Sequence, residues 1–279
     1  WRLPVCMWCK ALCHYSQVLS LIVTMDTQNS TQGASFSFHG DLQSLLKPAL
    51  SSPSLDYDFT DAPGIKDPIE ALGIPHTEVE AIVVNGTSVG FEYQLKHGDQ
   101  VHVYPAGFSS ETTDLTPLRE PLVEPTFVLD VHLGKLARVL RLLGMDTLYR
   151  NTYSDSELAQ IAAEENRILL TRDRRLLFYK CIVYGHFIRH HMPTEQAKEV
   201  IARYQLSGCI KPFSRCLSCN GLIRPVDKSD IFEQLLPKTR RYYDEFFQCP
   251  ECGQIYWKGS HFDGLIRKLK GLKLFPGES

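Results

Sequence analysis

The sequence predicts an α/β protein: a central domain on a parallel sheet, a small α+β domain before it and a four-cysteine module after it. Three observations carry this. Strand-like apolar runs alternate with helical patterns from Thr126 to Tyr204, and strand-like alternation crowds residues 34–105. Two thiol pairs, Cys216-x-x-Cys219 and Cys249-x-x-Cys252, stand 29 residues apart.

Composition sets the outer limits. Hydrophobic content of 43% and charged content of 22% are ordinary globular values and exclude bulk disorder. The net charge of −2 is uneven: residues 1–123 hold 6 Lys/Arg against 14 Asp/Glu, and residues 124–279 hold 24 against 18. A basic rear half suits a polyanionic partner. No stretch approaches the roughly 20 apolar residues that span a bilayer, so no membrane association is expected. Paired thiols without a clear secretion signal favour metal over disulfides, which makes a reducing, cytoplasmic compartment the expected location. Residues 1–24 begin with Trp1 and read as a gene-model extension, with Met25 the expected start. Within them, Cys6, Cys9 and Cys13 lack a second cluster to complete a metal site.

The polar stretch to residue 33 is an expected disordered extension. From residue 34, Ser35-Phe36-Ser37-Phe38-His39 alternates like a half-buried strand, and Leu42, Leu45 and Leu46 follow at helical spacing. Leu55, Tyr57 and Phe59 alternate again, and residues 66–72 predict a helix closed by Gly73 and Pro75. Residues 81–84 form a strand running into an Asn85-Gly86 turn, and residues 100–105 a further strand. This order over 34–107 predicts a β-grasp domain. Ser, Thr and Pro mark 108–124 as a flexible linker, which would leave the 34–107 domain separable.

In the central domain, 125–212, Phe127-Val128-Leu129 stops at Asp130, and Leu133, Leu136, Leu140 and Leu143 recur at helical spacing before Gly144. A short strand at 146–149 leads to Ser154 and Glu157, spaced as a capping box for a helix through Leu158 and Ile161. A buried-type strand at 168–171 ends at Arg172-Asp173, residues 181–184 are the next strand candidate, and 194–204 a helix. Such alternation indicates a parallel sheet.

Ligands gather at the carboxyl ends of such strands. Asp130 and Asp173 directly follow strands, and Asp155 and Glu157 open the helix between them. Brought together, these carboxylates repel one another unless a hard cation such as Mg2+ or Mn2+ neutralises them. Hydrolysis of a phosphodiester is the chemistry such a site supports. An acid at these positions also serves as a helix cap, and for Asp155 and Glu157 both roles stand. Lys135 and Arg138, on the helix after Asp130, and Arg172 and Arg174, around Asp173, are placed to hold RNA phosphates. Arg141 and Arg175 read equally well as solvated side chains.

Cys216, Cys219, Cys249 and Cys252 are the typical donor set of a tetrahedral, structural Zn2+ site with no open position. Asn220-Gly221 and Gly253 trail the pairs, where glycine admits a left-handed turn. The pattern predicts a zinc ribbon over 213–270 and a tail at 271–279. Arg240, Arg241, Lys258 and Tyr242 suit single-stranded nucleic acid, whereas Tyr256 and Trp257 are expected to pack the ribbon's small core.

Phe127-Val-Leu-Asp-Val-His-Leu-Gly-Lys-Leu-Ala-Arg138, Asp155-Ser-Glu157 and Ile168-Leu-Leu-Thr-Arg-Asp-Arg174 occur in that order. Phe213-Ser-Arg-Cys-Leu-Ser-Cys-Asn220 and Tyr256-Trp-Lys-Gly-Ser-His261 follow. Together they resemble the Mut-seven C-terminal RNase domain, a PIN-like nuclease family, over roughly residues 125–270. The resemblance implies a metal-dependent ribonuclease with metal-binding acids at Asp130, Asp155 and Asp173, and Glu157 as a further candidate. A fourth acid late in the domain has no clear counterpart, since Glu195 and Glu199 are the only acids between Asp173 and Cys216. The segment from Phe36 to Pro105 resembles the ubiquitin-like domain often joined to this RNase domain. Sulfur-carrier chemistry is excluded because Pro105-Ala106-Gly107-Phe108 runs on instead of ending in Gly-Gly, which leaves docking to a protein partner. The alternative to a nuclease is an RNA-binding or adaptor protein with a weak or inactive acid site.

Overall fold

Strand pairing sorts the chain into three sheets. The computed structural model describes residues 32–47, 52, 54–108, 115–259, 262, 264 and 266. The expected N-terminal extension, with its three cysteines, and the 271–279 tail lie outside the described residues, except that Gln32 and Gly33 already belong to the first strand.

The first sheet comprises β1 (Gln32–Phe38), β2 (Leu55–Phe59), β3 (Val79–Val84), β4 (Thr87–Val89) and β5 (Gln100–Pro105), in the order β2-β1-β5-β3-β4. β1 and β5 run parallel and the other pairs antiparallel, the mixed arrangement of a ubiquitin-like fold. Alternation in β1 sends Phe36 and Phe38 inward, onto Ile65 and Ile69 around α1 (Lys66–Ala71). Asn85 and Gly86 both take positive φ, 50° and 84°, the turn that matches strand twist in a two-residue hairpin.

The second sheet is all parallel: β6 (Phe127–Leu129), β7 (Thr147–Leu148), β8 (Ile168–Thr171) and β9 (Gly185–Phe187), in the order β7-β6-β8-β9. Helices α2 (Gly134–Leu142) and α4 (Pro193–Arg203) pack Leu136, Leu140, Val200 and Ile201 against Phe127 and Leu129 on one face. Helix α3 (Asp155–Glu164) packs Leu158 and Ala162 against Val128 and Leu169 on the other. Strands covered on both faces read as unbroken apolar runs, which is why they showed in the sequence. Strand order reverses between β6 and β8, the point where open parallel sheets form a crevice.

β9 departs from the expected strand at 181–184. Ile182 is held in a turn by the Tyr179 carbonyl, and ladder pairing begins only where Leu169 N–H meets the Tyr184 carbonyl. Gly185 then opens the strand, because a Cβ there would come within 2.7 Å of a Leu177 methyl.

The third sheet is antiparallel: β10 (Arg224–Val226), β11 (Phe246–Gln248) and β12 (Ile255–Trp257), with α5 (Pro237–Tyr242) in the long insert between the thiol pairs. Its core is Ile231, Leu235 and Phe246, with Trp257 packed on it as expected.

The stretch read as a flexible linker is a docked strap over 115–122. Leu118 N–H donates to the Glu80 carbonyl at 2.7 Å, Arg119 to the His76 carbonyl at 2.6 Å, and Tyr184 Oη to the Glu120 carbonyl at 3.1 Å. Leu118 packs on the first domain's core and Leu122 on the second's, an apolar pattern hidden among polar and proline residues. Residues 109–114, also in that stretch, lie outside the described residues.

Charge completes the joint. Glu78, fully buried in the turn His76–Glu78, pairs with Arg203 at 2.9 Å, His186 at 3.1 Å and Arg189 at 3.8 Å, and accepts the Phe187 amide of β9. The N-terminal domain is thus docked on the central one through this buried charge cluster and the strap.

Candidate active site and metal centre

The chain leaves β6 at Asp130 and the adjacent, parallel β8 at Thr171-Arg172-Asp173, with Leu129 level with Leu170. Both exits lie at the order reversal. Asp130 is 5% exposed, yet well supplied with donors. One oxygen accepts from His132 N–H at 2.6 Å, the other from Thr171 Oγ1 at 2.5 Å and Arg172 N–H at 2.8 Å. Three donors thus satisfy the buried carboxylate in place of water.

Thr171 is the residue that sequence reasoning missed. Its hydroxyl donates to the Asp130 carboxylate and accepts the backbone amide of Asp173 at 2.9 Å, so one side chain ties the first acid to the main chain of the second. The available signal was a hydroxyl closing an otherwise apolar strand just before Arg-Asp.

Asp173 accepts from Arg175 N–H at 2.9 Å and its guanidinium at 2.8 Å, and this bonding, with the His132 charge, holds its carboxyl below the usual range. Asp155 is exposed at the first position of α3, and its field reaches the same Arg175 guanidinium. Glu157 resolves toward capping: its carboxylate accepts from Ser154 N–H at 2.7 Å and Ser154 Oγ at 2.8 Å. The Ser154 amide bond lowers its pKa. Thus Thr171 ties the Asp130 carboxylate to the Asp173 backbone, Asp155 opens α3 at the same edge and Glu157 turns to its own helix. Among the described residues, the acids do not close on one another as a ligand set, whereas the four cysteines do.

The basic residues divide. Lys135 and Arg138 are exposed on α2. Arg172 donates through Nη1 to the His190 carbonyl at 3.4 Å and His191 Nδ1 at 3.2 Å. Arg174, expected to hold phosphate, instead donates to the Leu45 and Gly73 carbonyls of the first domain. Arg141 is neither solvated nor free for phosphate. It is 4% exposed and donates to the carbonyls of Thr147, Leu217 and Ser218, fastening the cysteine module to the sheet.

Of the late acids, Glu195 pairs with Lys198 at 3.0 Å. Glu199 faces His186 Nε2 at 3.0 Å and His190 Nδ1 at 2.8 Å. Burial pushes the Glu199 pKa up, but bonds from His186 and His190 hold it at about 2. Burial opposes Glu78 too, and the charges of Arg203 and His186 overcome it and hold its carboxyl far below the usual range. Depressed carboxylates stabilise the fold fully above their ordinary value of 4.5, and that contribution is lost as pH falls toward about 2. Thermal midpoints are therefore expected to hold steady above about pH 5 and to fall steeply below it. Glu199→Gln should flatten that fall, and parallel curves for wild type and variant would refute the linkage.

The four sulfurs lie within 4.8 Å of one another, with Cys216–Cys252 at 3.5 Å and Cys219–Cys249 at 3.4 Å. The residue after each pair is left-handed, Asn220 at φ 79° and Gly253 at 73°. The first turn thus uses Asn220, not Gly221, because asparagine tolerates this region and its amide has work beyond the turn. It donates to Asp146 at 2.9 Å and accepts Thr147 N–H at 2.9 Å. At Gly221 a Cβ would meet only the carboxyl end of the exposed Glu251 side chain, at 2.6 Å, which is free to swing aside. Tyr256, expected in the ribbon core, lies outside that cluster and turns to the thiols instead: its hydroxyl contacts Cys216 Sγ at 3.1 Å and accepts Leu217 N–H at 3.0 Å. Four thiols with amide and hydroxyl donors around them suit structural zinc.

The family model described as the Mut7-C RNAse domain matches residues 125–269, and that described as Mut7-C ubiquitin matches residues 31–111. Comparisons with curated proteins and with solved structures gave no match.

Proposed function

The chain belongs to the Mut7-C RNAse domain family, and from that premise we propose that it is a metal-dependent ribonuclease cleaving RNA phosphodiesters at the carboxyl edge of its parallel sheet. The observation that carries this is the buried Asp130, tied through one hydroxyl to the backbone of Asp173 at the strand-order reversal. The donor chemistry suits Mg2+ or Mn2+: Asp130, Asp155 and Asp173 offer hard oxygens. A guanidinium already answers the negative charge at Asp173, and an exposed pair of that kind yields readily to a stronger cation. Held by these three acids, such an ion supplies a Lewis acid for a phosphoryl oxygen. Thr171 keeps the two strand-end acids in register, and Lys135, Arg138 and Arg172 offer cations to the RNA backbone. The thiol set fits a reducing, cytoplasmic setting, and no helix among the described residues is long and apolar enough to cross a membrane.

The cysteine module is expected to hold one structural zinc. Cys249→Ser should release the metal and unfold the module, since such ions contribute on the order of 10 kcal/mol to small domains. Elemental analysis finding no zinc in natively purified protein would refute this.

A second reading, an RNA-binding adaptor, draws on the engagement of Arg175 with Asp173, Glu157 with its cap and Glu199 with histidines. The two are separated by incubating full-length protein with labelled RNAs in Mn2+ and in chelator. Cleavage in Mn2+ alone supports the nuclease, and retention without cleavage supports the adaptor.

A further inference from the structure

Two histidines stand at the exit of β9, and the chemistry above does not use them. β9 pairs with β8 so that Phe187 lies level with Thr171, and Ile188 N–H bonds the Thr171 carbonyl at 2.8 Å. The chain therefore leaves β9 at the same edge as Asp130 and Asp173, and His190 and His191 come next, both exposed.

Each ring is fixed from behind. His190 Nδ1 meets Glu199 at 2.8 Å, and a carboxylate only accepts, so Nδ1 donates. His191 Nδ1 meets Arg172 Nη1 at 3.2 Å, and a guanidinium only donates, so Nδ1 accepts and the proton sits on Nε2. Neither Nε2 has a partner among the described residues: that of His191 carries the ring's proton and donates outward, and that of His190 donates outward in the imidazolium form that pairs with Glu199. Arg172 Nη1 also bonds the His190 carbonyl, and Gln196 clamps the same carbonyl at 2.9 Å. The amide of Arg172 lies on Asp130 at 2.8 Å, so a single residue spans from the histidines to the buried acid.

The surrounding charges leave these groups outward. Glu199 of α4 is the acid facing His190, and Arg172 is the cation facing His191. On their own segment, Arg189 turns to Asp41 and Glu78 and skirts Glu199 at 3.7 Å, while His186 lies on the far side of Glu199. A phosphodiester approaching Asp130 and Asp173 meets like charge and needs donors alongside. The geometry points to a phosphate subsite made by Arg172, His190 and His191, which takes an RNA backbone phosphate next to the acids. Its choice of RNA rests on the ribonuclease reading, but phosphate binding there requires no cleavage.

The test is equilibrium binding of a labelled single-stranded RNA to the full-length protein in chelator, across a salt series. His190→Asn with His191→Asn keeps a polar group near each Nδ1 and deletes the outward nitrogens. The double variant is expected to bind about tenfold more weakly, with the salt slope reduced by about 0.7 for each phosphate that is no longer neutralised. His190→Lys with His191→Lys should restore both, which a purely structural role would not allow. Unchanged affinity and slope, weaker binding that lysine does not rescue, or no wild-type binding each overturn the subsite. Wild-type binding with this histidine dependence but no cleavage in Mn2+ would instead remove the nuclease reading and leave the subsite standing.

Discussion

Asp130→Asn is expected to lower RNA cleavage by about 1,000-fold or more, on the several kcal/mol that a catalytic cation contributes. The side chain keeps its shape and loses the charge that offsets a bound cation. Stability should change only modestly. If the amide oxygen stays toward Thr171 and Arg172, the new NH2 faces the His132 amide, and one donor loses its acceptor. Leaving such a group unsatisfied costs about 1–3 kcal/mol. Thr171→Val is a gentler probe, removing the hydroxyl that ties the Asp130 carboxylate to the Asp173 backbone while leaving both charges. Supporting partners of this kind are worth about 10–100-fold. Cleavage rates in excess Mn2+, with zinc content and thermal midpoint as controls, read both variants. If Asp130→Asn cleaves at the wild-type rate, the acid site is not the catalytic one and the adaptor reading takes precedence.

Glu78→Met should destabilise the whole chain by about 3–5 kcal/mol, because it strands the buried Arg203 guanidinium and leaves the His186 ring without its partner. Arg203 is 6% exposed at its side chain and His186 fully buried, so neither recovers water when the carboxylate goes. The strap at 115–122 should become the first site of limited proteolysis. Pairing Glu78→Met with Arg203→Met is expected to cost less than Glu78→Met alone, since the stranded charge is then gone. Denaturant midpoints measure both. A loss below about 1 kcal/mol for Glu78→Met would mean that water enters this joint and that the strap, with the Arg174 and Arg189 contacts, holds the domains.

Periodicity is local, and whatever depends on it was legible: β6 and β8 as apolar runs, α2 as a leucine stripe, Asp130 and Asp173 as their termini, and four cysteines at metal spacing. Partner choice is not local. Arg141, Arg174, Glu78 and Glu199 are ordinary charges in the sequence, yet each is committed to a group that folding brings from elsewhere in the fold. A composition of serine, threonine and proline described the strap's surface and missed the leucines that dock it. β9 was misplaced by four residues because Ile182 and Val183 have the right chemistry, while register was set by the tight approach at Gly185. Asp155 and Glu157 open the same helix, and only hydrogen-bond geometry tells a cap from a free acid.

The central sheet has two outer strands, β7 and β9, and each offers backbone donors that another chain could pair with. Both are spoken for. Asn220 of the cysteine module takes the Thr147 amide on β7, and Glu78 of the N-terminal domain takes the Phe187 amide on β9. The flanking domains thus act as guards against edge-to-edge aggregation, a hazard that open sheets otherwise meet with charges, bulges or prolines of their own. Shorn of its neighbours, the central sheet would present these two edge amides bare to every other copy of itself.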